Sequence, residues 1–270
     1  MASRASAGPF RRAVAALSAA AFLVVPASAR SAEPAVRKVA VAASANLRLV
    51  FQELAGNFER RNPGVKVEPT FGASGTLFAQ IQQGAPFDVF LGADRDFAVR
   101  IHEAGLARGE PFPYASGKLV LWVAAPARAD PNVLGMAAVV NPAIKKIAVG
   151  NPAVSPYGVA TEQALRSAGF LDAVKGKFVL AESILQVVQF AQSGNVQAAF
   201  VPWSMAVVPP LAAQGRYVAV PAGTYSPIEQ FGVVLGRARD PRLAEEFAAF
   251  VRGQTGRTIL ERHKYALPPN

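Results

Sequence analysis

The chain has 270 residues, of which 51% are hydrophobic and 17% are charged, as in an ordinary globular protein. It contains no cysteine, which excludes disulfides, thiol catalysis, thiolate metal sites and iron–sulfur clusters. The formal net charge is +10, but the basic residues are scattered and are not interleaved with aromatic residues. The charge therefore predicts a mild attraction for anions rather than a nucleic-acid partner.

The N-terminus has the pattern of a secretory signal peptide over residues 1–29. Arginines precede a short apolar run over 13–25, and small residues follow, so cleavage is expected after Ala29 or Ala32. The apolar run is shorter than the ~20 residues that span a bilayer. The sequence therefore predicts a periplasmic protein, and the missing cysteine excludes a lipid anchor on that residue type.

Strand–turn–helix units follow one another along the rest of the chain. Strands are predicted, in chain order, over residues 38–43, 65–71, 88–91, 118–124, 146–149, 178–180 and 231–235. Helices are predicted to follow the first three strands and to cover about 157–168, 184–191, 241–252 and the segment from 255. This alternation is typical of an α/β fold with parallel sheets covered on both faces.

The units fall into two groups joined by long strands, which predicts two lobes with the ligand between them. The chain is expected to cross between lobes near residues 116–118 and 230–231. The first lobe would then comprise residues 33–116 and 231–270, and the second lobe residues 117–230.

The sequence offers little for catalysis or for a metal. His102 and His263 have no Cys, His or acidic neighbour at metal-ligand spacing. Phosphate-binding loops, dinucleotide fingerprints and nucleophile elbows are missing. Asp94 and Asp96 are interpreted as acids that complement a helix N-terminus, with paired catalytic carboxylates as the alternative. No metal, no cofactor and no enzymatic activity are predicted.

What the sequence does offer is a series of helix N-termini at the carboxyl ends of strands, each with small or hydroxyl residues at the turn. The first turn of a helix has unpaired N–H donors and partial positive charge, so it can hold an anion without lysine or arginine. Ligands of α/β sheets bind at this edge. Ordinary helix caps are the alternative. The turns contain Ser44 and Asn46, Ser74 and Gly75, Tyr157 and Gly158, and Ser183 and Ile184.

The segments FGASGTL, QGAPFDVFLGAD, NPAVSPYG and SPIEQ occur in this order, and with them the chain from Lys38 onward closely resembles the periplasmic molybdate-binding proteins of bacterial ABC transporters. The resemblance implies a two-lobed, type II-like periplasmic binding protein fold with two hinge crossings. It further implies a monomer that captures molybdate, and also tungstate, for a membrane permease.

The resemblance also implies the residues of the ligand site. Asn46 would donate through its amide, Ser74 through its hydroxyl and N–H, and Tyr157 and Ile184 through their backbone N–H groups. Weaker candidates are Ser44, Ala45 and Gly75.

One position departs from the family pattern. Some members supply a tyrosine hydroxyl from the strand that corresponds to residues 200–203, where this chain has Pro202, which offers neither a hydroxyl nor an N–H. The number of donors is therefore left open.

Two other functions are considered. A binding protein for another tetrahedral oxyanion, such as sulfate or phosphate, would use the same turns. An exported α/β hydrolase could use Ser74 as nucleophile, but it would need a histidine base, and neither histidine is suitably placed.

Overall fold

The computed structural model describes residues 36–268, so the predicted signal peptide lies outside the described residues. Within this part the strands form two five-stranded sheets. The strands are β1 (Arg37–Ser44), β2 (Val65–Gly72), β3 (Val89–Leu91), β4 (Phe112–Gly117), β5 (Leu119–Ala124), β6 (Ile147–Gly150), β7 (Phe178–Ala181), β8 (Ala198–Pro202), β9 (Gly215–Ala219) and β10 (Ile228–Val234).

The helices of the described part lie mostly between successive strands. They are α1 (Arg48–Arg61), α2 (Ser74–Gln82), α3 (Arg95–Glu103), α4 (Pro131–Leu134), α5 (Pro156–Ser167), α6 (Leu171–Val174), α7 (Ile184–Gln192), α8 (Trp203–Ala206), α9 (Leu211–Gln214), α10 (Pro241–Arg252) and α11 (Gln254–Arg262). Short 3-10 helices cover Ala45–Leu47, Ala125–Ala127, Gly135–Val140 and Lys175–Lys177. The longest apolar helices in residues 36–268 fall short of what a membrane crossing requires.

The predicted α/β class is confirmed, but both sheets are mixed rather than purely parallel. The first sheet has the order β2-β1-β3-β10-β4, with β10 antiparallel to both of its neighbours. The second sheet has the order β7-β6-β8-β5-β9, with β5 antiparallel to both of its neighbours. Strands joined by a helical crossover run parallel, whereas β5 and β10 arrive from the other sheet and enter in the opposite direction.

The chain passes between the sheets at two neighbouring places. The first sheet's β4 ends at Gly117 and the second sheet's β5 begins at Leu119. The return leads into β10, where Ile228 is paired with Gly117. The two crossings therefore lie side by side, although β10 begins ahead of the expected crossing near 230–231. The residue limits of the lobes remain a prediction.

The first sheet has a hydrophobic core on each face and the second sheet has one core, which reaches the turns of the first sheet. Phe51 and Phe247 pack on the first sheet, and Trp122 and Phe200 pack in the second. The second core also contains Ala45 and Ala93, which follow β1 and β3 of the first sheet. The turns of the first lobe are thus in apolar contact with the second lobe. These contacts place the carboxyl ends of strands from both sheets against one another.

A buried carboxylate at the start of β3 fixes the first lobe, and its loss is expected to be costly. Asp88 is buried, and its side chain accepts hydrogen bonds from the N–H of Ala40 (2.6 Å) and the N–H of Arg239 (2.8 Å). Asp88→Ala leaves these donors without a partner, so the free energy of unfolding should fall by about 2–4 kcal/mol. Denaturant unfolding of the wild type and the variant measures this difference in free energy. The control Asp172→Ala removes an exposed carboxylate and should leave stability unchanged; equal losses would contradict the prediction.

Candidate functional site

Four turns, two from each sheet, bring helix N-termini to the interface between the lobes. In the first sheet, β1 leads into the 3-10 turn Ala45–Leu47, and β2 leads into α2 at Ser74. In the second sheet, β6 leads to α5, which begins at Pro156, and β7 leads into α7 at Ile184. Proline suits the first position of a helix because its missing N–H has no partner there in any case. The predicted strand–turn–helix units are therefore present at all four places.

The four predicted ligand residues are all buried at this interface. Asn46, Ser74, Tyr157 and Ile184 are between 0% and 3% exposed. Tyr157 and Ile184 share one buried cluster with Ala45 and Ala93, which come from the first sheet.

Hydrogen bonds place the second turn of the first lobe in the same region. Ser74 is joined to Ala93 because its Oγ accepts from the Ala93 N–H at 2.9 Å. Across the interface, the N–H of Gly75 donates to the carbonyl of Val154 at 3.1 Å. The structure thus brings all four turns to one buried region in which the lobes touch.

Three of the predicted backbone donors are free of protein partners. Within residues 36–268, the N–H groups of Ser74, Tyr157 and Ile184 donate to no acceptor outside their own helices. The N–H groups of a helix's first turn have no acceptor inside the helix either. Three free donors in a buried region, at helix N-termini with partial positive charge, are suited to a buried anion.

Asn46 is more constrained than the sequence suggests. Its Nδ2 donates to Gln230 Oε1 and to the Tyr265 hydroxyl, both at 2.9 Å. Its Oδ1 is buried and has no partner in the described part of the chain. Both amide hydrogens are engaged with protein, so the predicted donation from this amide to an anion requires one of these bonds to be released.

The Tyr157 side chain is a feature that the sequence reasoning missed. Its hydroxyl is buried close to the Asn46 side chain, although neither this hydroxyl nor Asn46 Oδ1 has a partner with normal hydrogen-bond geometry among the described residues. Burial raises the pKa of Tyr157 well above its usual range, so this hydroxyl remains a proton donor at neutral pH. The ring reaches Gly117 at the hinge, where an added Cβ would clash with the hydroxyl oxygen. Gly117 and Tyr157 are far apart in the sequence and meet only through the fold, so the sequence alone does not reveal this contact.

The weaker candidates divide into two kinds. Ser44 and Ala45 are buried at the end of β1, where Ser44 makes no capping hydrogen bond from its side chain. Gly75 has its N–H engaged with Val154 and is therefore a contact between lobes rather than a free donor. Pro202 is the last residue of β8 and is buried.

An open cavity of about 600 Å³ lies beside this region but contains none of the four predicted residues. It is lined by α3, α5 and the segment before β10, with Asp94, Arg100, Gln163 and Glu229 among its residues. The four predicted residues themselves are buried where the lobes touch.

Asp94 confirms the interpretation of a helix-start acid. Its Oδ1 accepts from the N–H of Phe97 at 2.8 Å and caps α3, while its Oδ2 is buried without a partner in residues 36–268. Burial raises the pKa of Asp94 to about 6, and the neighbouring Asp96 adds to the increase. The ionised form is therefore costly near neutral pH.

The raised pKa of Asp94 predicts a pH-dependent effect of Asp94→Asn. An unfolded aspartate has a pKa of about 3.9, so the folded protein binds this proton more tightly between about pH 4 and pH 6. The contribution of Asp94 to the free energy of unfolding therefore falls as the pH rises through this window. Asparagine keeps a capping oxygen and cannot ionise. Relative to the wild type, the variant should gain about 2–3 kcal/mol between pH 4 and pH 7, measured by denaturant unfolding; a constant difference would contradict this.

The histidines lie away from the site. His102 contacts the carbonyl of Gly109, and His263 contacts Glu53. Among the described residues, no group of three or more His, Cys, Asp or Glu side chains could hold a metal ion.

Comparison with known proteins agrees with this geometry. A family model described as bacterial extracellular solute-binding protein matches residues 39–266. A molybdate-binding protein ModA of Azotobacter vinelandii is 35% identical over 231 residues, which are 85% of this chain and 90% of that protein. The chain belongs to the molybdate-binding family of bacterial solute-binding proteins. The resemblance seen in its motifs is thereby confirmed.

Further members of the molybdate-binding family support the assignment and the fold. ModA of Rhodobacter capsulatus is 33% identical over 232 residues, which are 86% of this chain and 89% of that protein. The solved structure of the periplasmic molybdate-binding protein of Azotobacter vinelandii superposes with a TM-score of 0.77 at 31% identity, covering 86% of this chain and all of that one. The predicted two-lobed binding-protein fold is confirmed.

Proposed function

We propose that this family member captures molybdate, and also tungstate, between its two lobes and delivers the anion to the membrane permease of an ABC transporter. Two related proteins carry a molybdate-binding name, and this chain covers most of their length. The observation that carries the proposal is the set of unpaired N–H donors of Ser74, Tyr157 and Ile184 in one buried region between the lobes.

The donors are neutral, and this suits a dianion that must be released again. Donors at helix N-termini stabilise negative charge through hydrogen bonds and partial charges without a salt bridge. Within residues 36–268, Asp88 is the one acidic or basic residue among the buried polar residues, and it directly precedes β3, away from the four turns. Molybdate is fully deprotonated at neutral pH, so each of its oxygens can accept from such donors.

The proposed ligand set extends the predicted one by one group. Ser74 would contribute its hydroxyl and N–H, Ile184 its N–H, and Tyr157 its N–H together with its buried hydroxyl. The Tyr157 hydroxyl would then supply the group that Pro202 cannot offer. Asn46 would face the anion through the backbone of its turn, while its amide stays held by Gln230 and Tyr265.

The remaining parts of the proposal are the protein's location and state. The N-terminal signal pattern and the periplasmic location of the solved relative support export to the periplasm. There the protein would act as a monomer that binds no nucleic acid and needs no cofactor. A hydrolase would need a base beside Ser74, but His102 and His263 contact Gly109 and Glu53 instead.

Thermal melting with different anions tests the proposal. A ligand that binds only the folded protein stabilises it by about 2.7 kcal/mol at a concentration of 100 times its Kd. Molybdate and tungstate should each raise the melting temperature, while sulfate and phosphate at the same concentration should not. A rise with sulfate or phosphate alone would favour the other-oxyanion alternative, and turnover of ester substrates would favour the hydrolase.

A further inference from the structure

One tyrosine of the C-terminal segment, Tyr265, contacts Asn46 of the proposed site. Tyr265 is 4% exposed, and its hydroxyl donates to the backbone carbonyl of Asn46 at 2.9 Å. The same hydroxyl accepts from Asn46 Nδ2 at 2.9 Å and lies 3.5 Å from Ser204 Oγ. Asn46 belongs to the first lobe and Ser204 to α8, which follows the last residue of a strand in the second sheet. One hydroxyl therefore contacts both lobes.

The backbone fixes where this tyrosine points. After α11, Lys264 adopts a left-handed conformation with φ of 69°, which ends the helix and turns the chain inward. Ala266 then pairs with Ser116 of β4 through two hydrogen bonds of 2.7 and 2.9 Å. Tyr265 is held between these two constraints, with its ring in the core of the first lobe.

Gln230, which lies on β10 near the hinge, is the second side chain that binds the Asn46 amide. Its Nε2 donates to the carbonyl of Ile228 at 3.2 Å, so its Oε1 is left to accept from Asn46 Nδ2. Gln230 is fully buried on β10, which carries the chain back into the first sheet.

Counting protons leaves one orientation for the Asn46 amide. The single Tyr265 proton goes to the Asn46 carbonyl, so the tyrosine oxygen accepts from Nδ2. Burial raises the pKa of Tyr265 to about 12, which keeps that proton in place at neutral pH. The second Nδ2 hydrogen goes to Gln230, and Oδ1 alone is left without a partner. Gln230 and Tyr265, which are distant from Asn46 in the sequence, thus fix the orientation of the Asn46 side chain in the first turn.

We propose that Tyr265 and Gln230 are positioning residues of the anion site, which act through Asn46 to hold the turn Ala45–Leu47 in its binding geometry. This inference rests on the proposed function, because it takes Asn46 to be at the anion. The C-terminal tail is accordingly part of the binding apparatus. Removing the tyrosine hydroxyl frees the Asn46 carbonyl and lets its amide rotate, while the phenylalanine ring preserves the packing.

A double-mutant cycle with molybdate as the probe tests the inference. Calorimetric titrations compare the wild type, Tyr265→Phe, Asn46→Ala and the double variant. Tyr265→Phe should weaken molybdate binding about 10-fold in the wild-type background. With Asn46→Ala already present it should weaken binding at most about threefold, because only the bond to the carbonyl of residue 46 remains to be lost. The control Tyr217→Phe, on β9, should leave the affinity unchanged.

The outcomes separate this inference from the proposed function. Unchanged affinity in Tyr265→Phe, or an equal loss with and without Asn46, would overturn the positioning role. A wild-type protein that does not bind molybdate would instead overturn the proposed function. If Tyr265→Phe does not fold, Gln230→Met runs the same cycle through the other partner: a loss of about 10-fold only where Asn46 is present supports the inference, and an equal loss in both backgrounds overturns it.

Discussion

Replacing Ser74 by alanine is expected to weaken molybdate binding by about 10- to 100-fold. The Ser74 oxygen accepts from the Ala93 N–H at 2.9 Å, and its own proton, for which the Asp94 carboxylate is the neighbouring acceptor, would turn to the anion on binding. A hydrogen bond to a charged group contributes about 1.5–3 kcal/mol, which corresponds to this range of affinity. Isothermal calorimetry with molybdate measures the change.

The Ser74→Ala experiment needs a control for the loss of a hydroxyl as such. Ser193→Ala removes a hydroxyl that donates to the Phe190 carbonyl at the exposed end of α7, so its affinity for molybdate should equal that of the wild type. Circular dichroism should show native helix content in both variants. An unchanged affinity in folded Ser74→Ala would remove Ser74 from the site.

Gly75→Ala is expected to reduce molybdate affinity about 10-fold by opposing closure of the lobes. A Cβ at Gly75 would lie 2.9 Å from the Phe97 ring and 3.1 Å from the Cα of Val154, which belongs to the opposite lobe. The contact with backbone cannot be relieved by a side-chain rotation. It exists only when the lobes touch, whereas the Phe97 ring belongs to the first lobe and its end can shift in either form. Calorimetry gives the affinity, and X-ray scattering at saturating molybdate should show a more open protein.

The matched control for Gly75→Ala is Gly56→Ala. Gly56 lies within α1, and a Cβ there would meet only the end of the Arg60 side chain at 3.5 Å, an ordinary contact. Alanine in a helix is more favourable than glycine by about 0.5–1 kcal/mol, so both variants should melt no lower than the wild type without ligand. Equal affinities of Gly75→Ala and Gly56→Ala would contradict the closed interface at Gly75.

The elements with strong apolar periodicity were predictable from the sequence. The helix ending at Arg61 and the strand that precedes it agree with α1 and β1. By contrast, β4 was not predicted, because its sequence FPYASG contains proline and glycine, which are disfavoured within strands. The antiparallel entry of β10 depends on which sheet the chain came from. Local sequence does not contain that information.

Of the candidate site, the four turns were predictable, because a strand followed by a helix puts N–H groups at a known edge of the sheet. The choice of Ser74, Tyr157 and Ile184 within these turns comes from the family resemblance and stays a prediction. The partners of Asn46 could not be placed, since Gln230 and Tyr265 are 184 and 219 residues away along the chain. Side-chain networks between distant segments follow from tertiary packing.

A calorimetric titration of the wild-type protein with molybdate, competed by sulfate and phosphate, tests the central claim most directly. The claim is that neutral donors at helix N-termini hold a fully deprotonated tetrahedral dianion between the lobes. It predicts one molybdate bound per chain and no displacement by a large excess of either competitor. Tight binding of sulfate or phosphate, with no heat from molybdate, would contradict it.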